Sequence, residues 1–120
     1  MDVQSVPGTP AAVKVCGEVD LSNVGRMIEA LDVAVSQSPT GVLVDLCDVT
    51  YIDSAGIQAV ISAYQRLRTQ DGVLALCLSN PDVQAIFRLI HPELLPGFVV
   101  TNDLDAARQA LAVNDRPAGQ

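Results

Sequence analysis

The sequence predicts an α/β domain built on a mostly parallel sheet. Strand-like apolar runs alternate with segments whose apolar residues recur at helical spacing. The order reads β-β-α-β-α-β-α-β-α. The chain has 120 residues and is 49% hydrophobic, enough for one domain around one core without disulfides. Strands separated by helices imply parallel pairing through right-handed crossovers. We therefore expect four to five strands, the N-terminal one antiparallel, and four helices.

Taken in order, Asp2 to Val6 reads as an edge strand turned back by Pro7-Gly8-Thr9-Pro10. Ala11 to Val15 is a short strand ending in Cys16-Gly17. Val24, Met27, Ile28, Leu31 and Val35 then mark one face of a helix, with Ser22 or Asn23 able to cap it. Ser38-Pro39-Thr40-Gly41 breaks the chain. Val42 to Leu46 is a nearly continuous apolar run, as a central strand requires. After Asp53, Ile57, Val60, Ile61, Tyr64 and Leu67 predict a second helix, ended by Gln70-Asp71-Gly72. Val73 to Leu78 is the next strand. Asn80-Pro81 has the cap-then-proline pattern of a helix start, and His91-Pro92 stops that helix. Phe98 to Val100 is the last strand. Asn102 to Asp105 has capping-box spacing before a helix marked by Leu104, Ala107 and Leu111. The expected domain spans 1–113, with a flexible tail over 114–120.

Composition narrows the function. The net charge is −7, with Lys14 the single lysine. Nucleic acid is thus an unexpected partner, because phosphate binding needs a concentrated basic face. There is no apolar run of the ~18 residues that a membrane helix needs, and Met1 to Ser5 does not open a secretory signal. We expect a cytoplasmic protein with no membrane partner. Cys16, Cys47 and Cys77 have no C-x-x-C spacing, and His91 is the one histidine, so no metal site and no cofactor is expected. The three thiols read as buried, reduced core residues. A redox pair is the alternative, and the sequence does not select which two.

Enzyme motifs are missing as well. Gly17-Glu18-Val19-Asp20 stands where a dinucleotide fold needs G-x-G-x-x-G, and there is no Walker-type glycine loop ending in Lys-Ser/Thr. His91 closes an apolar helix and is not placed as a base for a serine nucleophile. A phosphoaccepting receiver domain would use an aspartate at a central strand, such as Asp45. It would also need an acidic cluster for Mg²⁺ after the first strand and a lysine near the end of the last, but the single lysine is Lys14, in an early strand, and Asp45 lies inside the apolar run with Leu46 and Cys47 still to follow. We expect no catalytic activity.

Asp53-Ser54-Ala55-Gly56 joins a strand to a helix at the carboxyl edge of the sheet, where sites gather in such folds. On spacing alone it fits a helix cap made by Ser54 or Asp53. Together, Gly17-Glu18-Val19-Asp20, Val42 to Leu46 and Tyr51-Ile52-Asp53-Ser54-Ala55-Gly56-Ile57 resemble the STAS domain of anti-sigma-factor antagonists over almost the whole chain. The first motif is similar to the family's Gly-Glu-Leu-Asp, the second to its Asp-Ser-Ser/Thr-Gly. Ala55 departs from the family by lacking the second hydroxyl.

The resemblance implies a phosphorylation switch. Ser54 is the phosphoacceptor, and Asp20, Ser22, Asn23, Asp53, Ala55 and Gly56 form the partner-binding surface around it. The unmodified protein would bind an anti-sigma factor, usually also a serine kinase, and free a sigma factor. The kinase would phosphorylate Ser54 and a serine phosphatase would reset it. The alternative is a STAS scaffold or sensor module without Ser54 phosphorylation.

Overall fold

A computed structural model describes residues 1–114. The elements are β1 (Asp2–Val6), β2 (Ala11–Val19), α1 (Val24–Gln37), β3 (Gly41–Ile52), α2 (Ser54–Arg68), β4 (Val73–Cys77), α3 (Pro81–Arg88), β5 (Phe98–Thr101) and α4 (Leu104–Asn114). They follow the predicted order, with one short 3-10 turn at Pro92–Leu94 added before β5. The five strands form one sheet in the order β1-β2-β3-β4-β5. β1 is antiparallel to β2, and the other pairs are parallel.

Because this strand order never reverses, right-handed crossovers place α1, α2 and α3 on one face of the sheet. There Met27 and Leu31, Val60 and Leu67, and Val83 and Phe87 share one core with Val13, Val44, Leu46 and Leu76. α4 crosses to the opposite face, where Ala107 and Leu111 pack on Leu43 and Ala75. A doubly wound sheet opens a ligand crevice where its strand order reverses. This sheet has no reversal, and its carboxyl edge presents loops in place of such a cleft.

β3 departs most from expectation. The apolar run ends at Leu46, but the strand continues to Ile52. Its core-facing residues are Val42, Val44, Leu46, Val49 and Ile52, all buried. The spacing changes from two residues to three after Leu46 and again after Val49. Both changes coincide with register shifts against β2, between Lys14 and Cys16 and between Gly17 and Glu18. Each is a bulge, in which an extra residue on one strand resets the inward-outward alternation. β2 likewise runs past Val15 to Val19.

Other boundaries follow local chemistry. Asn80 caps α3 as expected, its Oδ1 accepting from Asp82 N at 2.9 Å and Val83 N at 3.2 Å. For α4 the capping side chain is Asp103, one residue beyond the expected Asn102, with Oδ1 accepting from Asp105 N at 2.9 Å. α4 includes Asn114, the first residue of the expected tail, and 115–120 lie outside the described residues. Cys77 is buried as expected, whereas Cys16 and Cys47 are only half-buried: Cys16 falls with Ala12 and Lys14 on the half-buried face of β2, and Cys47 lies beside exposed Asp48 in the second half of β3. Asp45, the residue a receiver would use, is 8% exposed and accepts from Cys47 N at 3.0 Å. Lys14 pairs with Asp48 at 3.4 Å, and that bond is the main cause holding its amine above the ordinary lysine value.

Candidate functional site

The two bulges carry the end of β3 alongside the end of β2, so that Asp53 N donates to Val19 O at 3.1 Å. Two loops of the sequence motifs thereby meet at one edge. Asp53 is the residue that joins them. Its Oδ1 accepts from Ala55 N at 2.9 Å and Gly56 N at 3.3 Å, capping α2. Its Oδ2 accepts from Leu21 N at 3.1 Å, thirty-two positions away. Of the two capping candidates, Asp53 is therefore the cap and Ser54 is not. Ser54 is the first residue of α2 and is exposed, and among the described residues its hydroxyl has no hydrogen-bond partner.

The loop after β2 is ordered by its own polar side chains. Ser22 Oγ donates to Asp20 Oδ1 at 2.5 Å, and Ser22 N donates to the same oxygen at 2.9 Å. The Ser22 hydroxyl is the main reason that the Asp20 carboxyl lies below its ordinary value, since a hydrogen bond to the charged form favours it. Asn23 Nδ2 donates to Glu18 O at 2.9 Å, and its Oδ1 accepts from Asp20 N at 2.9 Å. Neither Ser22 nor Asn23 caps α1 through its side chain, because both are engaged in folding this loop. The helix instead starts on the backbone, with Val24 N donating to Asp20 O at 2.9 Å.

Gly56 sets how closely α2 approaches the sheet. A Cβ there would lie 2.5 Å from Ile52 Cγ1 and 2.9 Å from Val19 Cγ1. Gly56→Ala is expected to destabilise the fold by about 1–2 kcal/mol. The cost of overpacking exceeds the gain in helix propensity. Chemical denaturation measures it, and a stabilised variant would show that the contact relaxes freely.

One feature escaped the sequence motifs. Leu21, between Asp20 and Ser22, is 78% exposed. It stands at the mouth of an apolar groove of about 280 Å³ between α1 and α2, lined also by Val24, Ile28, Leu31, Ala55 and Ala59. The signal was an unexplained leucine in a polar loop, off the buried stripe of the following helix. The structure thus brings Asp20, Ser22, Asn23, Asp53, Ser54, Ala55 and Gly56 to one edge, and Ala55 also lines the groove. The arrangement offers an unengaged hydroxyl beside an apolar slot and two carboxylates.

The STAS domain family model matches residues 1–103. The chain belongs to the STAS family. Among curated proteins, this STAS protein is 32% identical over 94 residues to BtrV of Bordetella bronchiseptica, which carries the provisional designation anti-sigma factor antagonist. That match covers 78% of this chain and 79% of BtrV. Among solved structures, an anti-sigma factor antagonist from Mycobacterium paratuberculosis superposes with a TM-score of 0.79 at 22% identity, covering 92% of this chain and 93% of the other. The Bacillus SpoIIAA structure in its phosphorylated form gives 0.69 at 18% identity, covering 90% and 98%. SpoIIAA is also solved unphosphorylated. These superpositions establish the STAS fold: one α/β domain with a five-stranded sheet and four helices. Among the described residues, no helix is long and apolar enough to cross a membrane.

Proposed function

We propose that this STAS protein is an anti-sigma-factor antagonist. Its unphosphorylated form binds an anti-sigma factor that is also a serine kinase, and phosphorylation of Ser54 releases it. A serine phosphatase restores binding. The observation that carries this reading is the state of Ser54: an exposed hydroxyl with no hydrogen-bond partner among the described residues, next in sequence to Ala55, which lines the Leu21 groove. A structural serine at a helix start would use its oxygen to cap, but Asp53 already holds that role. BtrV's designation and the existence of SpoIIAA in both phosphorylation states support the same reading.

The geometry also indicates how a phosphate would act. Helix N-termini commonly accept anions through free N–H groups. Here Ala55 N and Gly56 N are already bonded to Asp53. A phosphate would therefore gain little from the helix and would add about −1.5 to −2 charges to an edge that already carries Asp20 and Asp53. A partner seated on Leu21 and the groove would meet that charge at its rim. The protein itself catalyses nothing in this scheme and needs no cofactor.

The test is incubation with ATP and candidate anti-sigma kinases of the same genome, followed by phosphosite mapping and pull-down. Phosphate on Ser54, with release of a bound anti-sigma factor, is the expected result. A kinase partner that stays bound without modifying Ser54 would overturn the switch and leave a constitutive scaffold.

A further inference from the structure

Cys47 and Cys77 lie outside the Ser54 site, on the face of the sheet that α4 covers. Asp45 and Cys77 are register partners on β3 and β4. Cys47, two residues further along β3, turns its thiol toward the same place, and the two Sγ atoms are 2.7 Å apart. Non-bonded carbon atoms rest roughly 3.5–4.0 Å apart, and sulfur is larger, so the thiols are in direct contact. The two residues differ in access: Cys47 is half-buried and Cys77 fully buried. Cys16 is elsewhere, its Sγ 4.0 Å from Asp48 Oδ2.

We infer that Cys47 and Cys77 are a reversible dithiol–disulfide pair that closes β3 to β4 under oxidising conditions. The oxidant is a low-molecular-weight disulfide such as oxidised glutathione. The Cys47 thiolate attacks one sulfur of that disulfide, forming a mixed disulfide and expelling the first small thiol. The Cys77 thiolate then attacks Cys47 Sγ, forming the intramolecular bond and expelling the second. The two cysteine protons end on the two small thiols, which carry the two electrons. Exposure assigns the order, because only Cys47 can meet an external disulfide.

The surroundings make thiol–disulfide exchange slow at neutral pH. Burial, mainly, pushes both thiols above the ordinary cysteine range, and the nearby Asp45 carboxylate adds to the effect. Attack is by thiolate, so casual oxidation at neutral pH is suppressed. Contact between the two sulfurs makes the second step intramolecular once Cys47 is engaged. Asp45 completes a set of one oxygen and two sulfurs that a metal ion could use. A closed structural zinc site takes four protein ligands, and among the described residues no fourth His, Cys, Asp or Glu joins these three.

The test is equilibration of the full chain in glutathione buffers of graded oxidation, followed by acid quench, alkylation and peptide mass mapping. The expected product is a Cys47–Cys77 cross-linked peptide with a mass loss of about 2 Da, while Cys16 remains alkylated. The oxidised form should melt higher by on the order of 10 °C, because the bond closes a loop across two strands. In Cys77→Ser the glutathione adduct at Cys47 should persist, and in Cys47→Ser the buried Cys77 should stay free of any adduct. Cys77→Ala serves if the serine variant fails to fold. Three free thiols across the whole series, a cross-link through Cys16, or a lasting adduct at Cys47 of the wild-type chain would overturn the inference. So would protection from alkylation that a chelator removes without any mass loss, which would identify a metal site.

Discussion

Asp53→Ala is expected to lower the melting temperature by ~10 °C, while Asp53→Asn loses less than half as much. The alanine variant removes a helix cap, worth about 1 kcal/mol and up to about 2 in folded proteins. It also removes the bond to Leu21 N, an exposed hydrogen bond that water replaces at a net cost of about 0.5–1.5 kcal/mol. The sum of about 2–3 kcal/mol is large for one side chain on a domain of this size. Asparagine keeps one oxygen for Ala55 N and Gly56 N and loses mainly the bond to Leu21. Hydrogen exchange gives a local readout, with faster exchange at Leu21, Ala55 and Gly56 in the alanine variant. A melting temperature within about 2 °C of wild type would show that the carboxylate is not the tie between the loops.

Ser54→Asp is expected to weaken binding of the anti-sigma factor on the order of 100-fold, or ~3 kcal/mol, while leaving the fold intact. The side chain at Ser54 is exposed and has no hydrogen-bond partner among the described residues, so replacing it removes no hydrogen bond seen there. The new carboxylate gains from the helix dipole and loses to Asp53 beside it, two small effects of opposite sign. A partner covering the edge has neither compensation and must desolvate the charge. Calorimetry with the partner and a thermal melt are read together. Equal affinity for both forms would remove Ser54 from the interface. A collapsed melting temperature would mean that the serine is structural after all. Ser54→Ala should bind as the wild type does and stay bound in the presence of ATP.

The fold was legible because periodicity was clean in most elements. Val24 to Val35 and Val83 to Phe87 show one apolar stripe each, and Asn80-Pro81 announces its helix start. It was least legible in β3. There the two bulges break the two-residue period after Leu46, so a twelve-residue strand looks like a short one followed by a loop. The site divided in the same way. The acidic motifs at Asp20 and Asp53 were visible as residues, but their meeting depends on those bulges. The assignment of the α2 cap to Asp53 rather than Ser54 is a matter of side-chain direction that spacing does not encode. Ser22 and Asn23 were sound candidates to cap α1. They are diverted because Asp20 and the Glu18 carbonyl are nearer partners.

The unreversed strand order has a consequence for how the molecule is made. From β2 onward each strand pairs with the one synthesised just before it, and 24 to 32 residues separate partners such as Ala11↔Val42, Val42↔Leu74 and Leu74↔Phe98. No strand waits for a distant segment. Each β/α unit therefore joins the sheet next to a strand that has already been synthesised, in the order of translation. The Asp53 bridge to Leu21 uses only the loop after β2, the end of β3 and the start of α2, so every residue of the edge that carries Ser54 is synthesised before the last strand, β5.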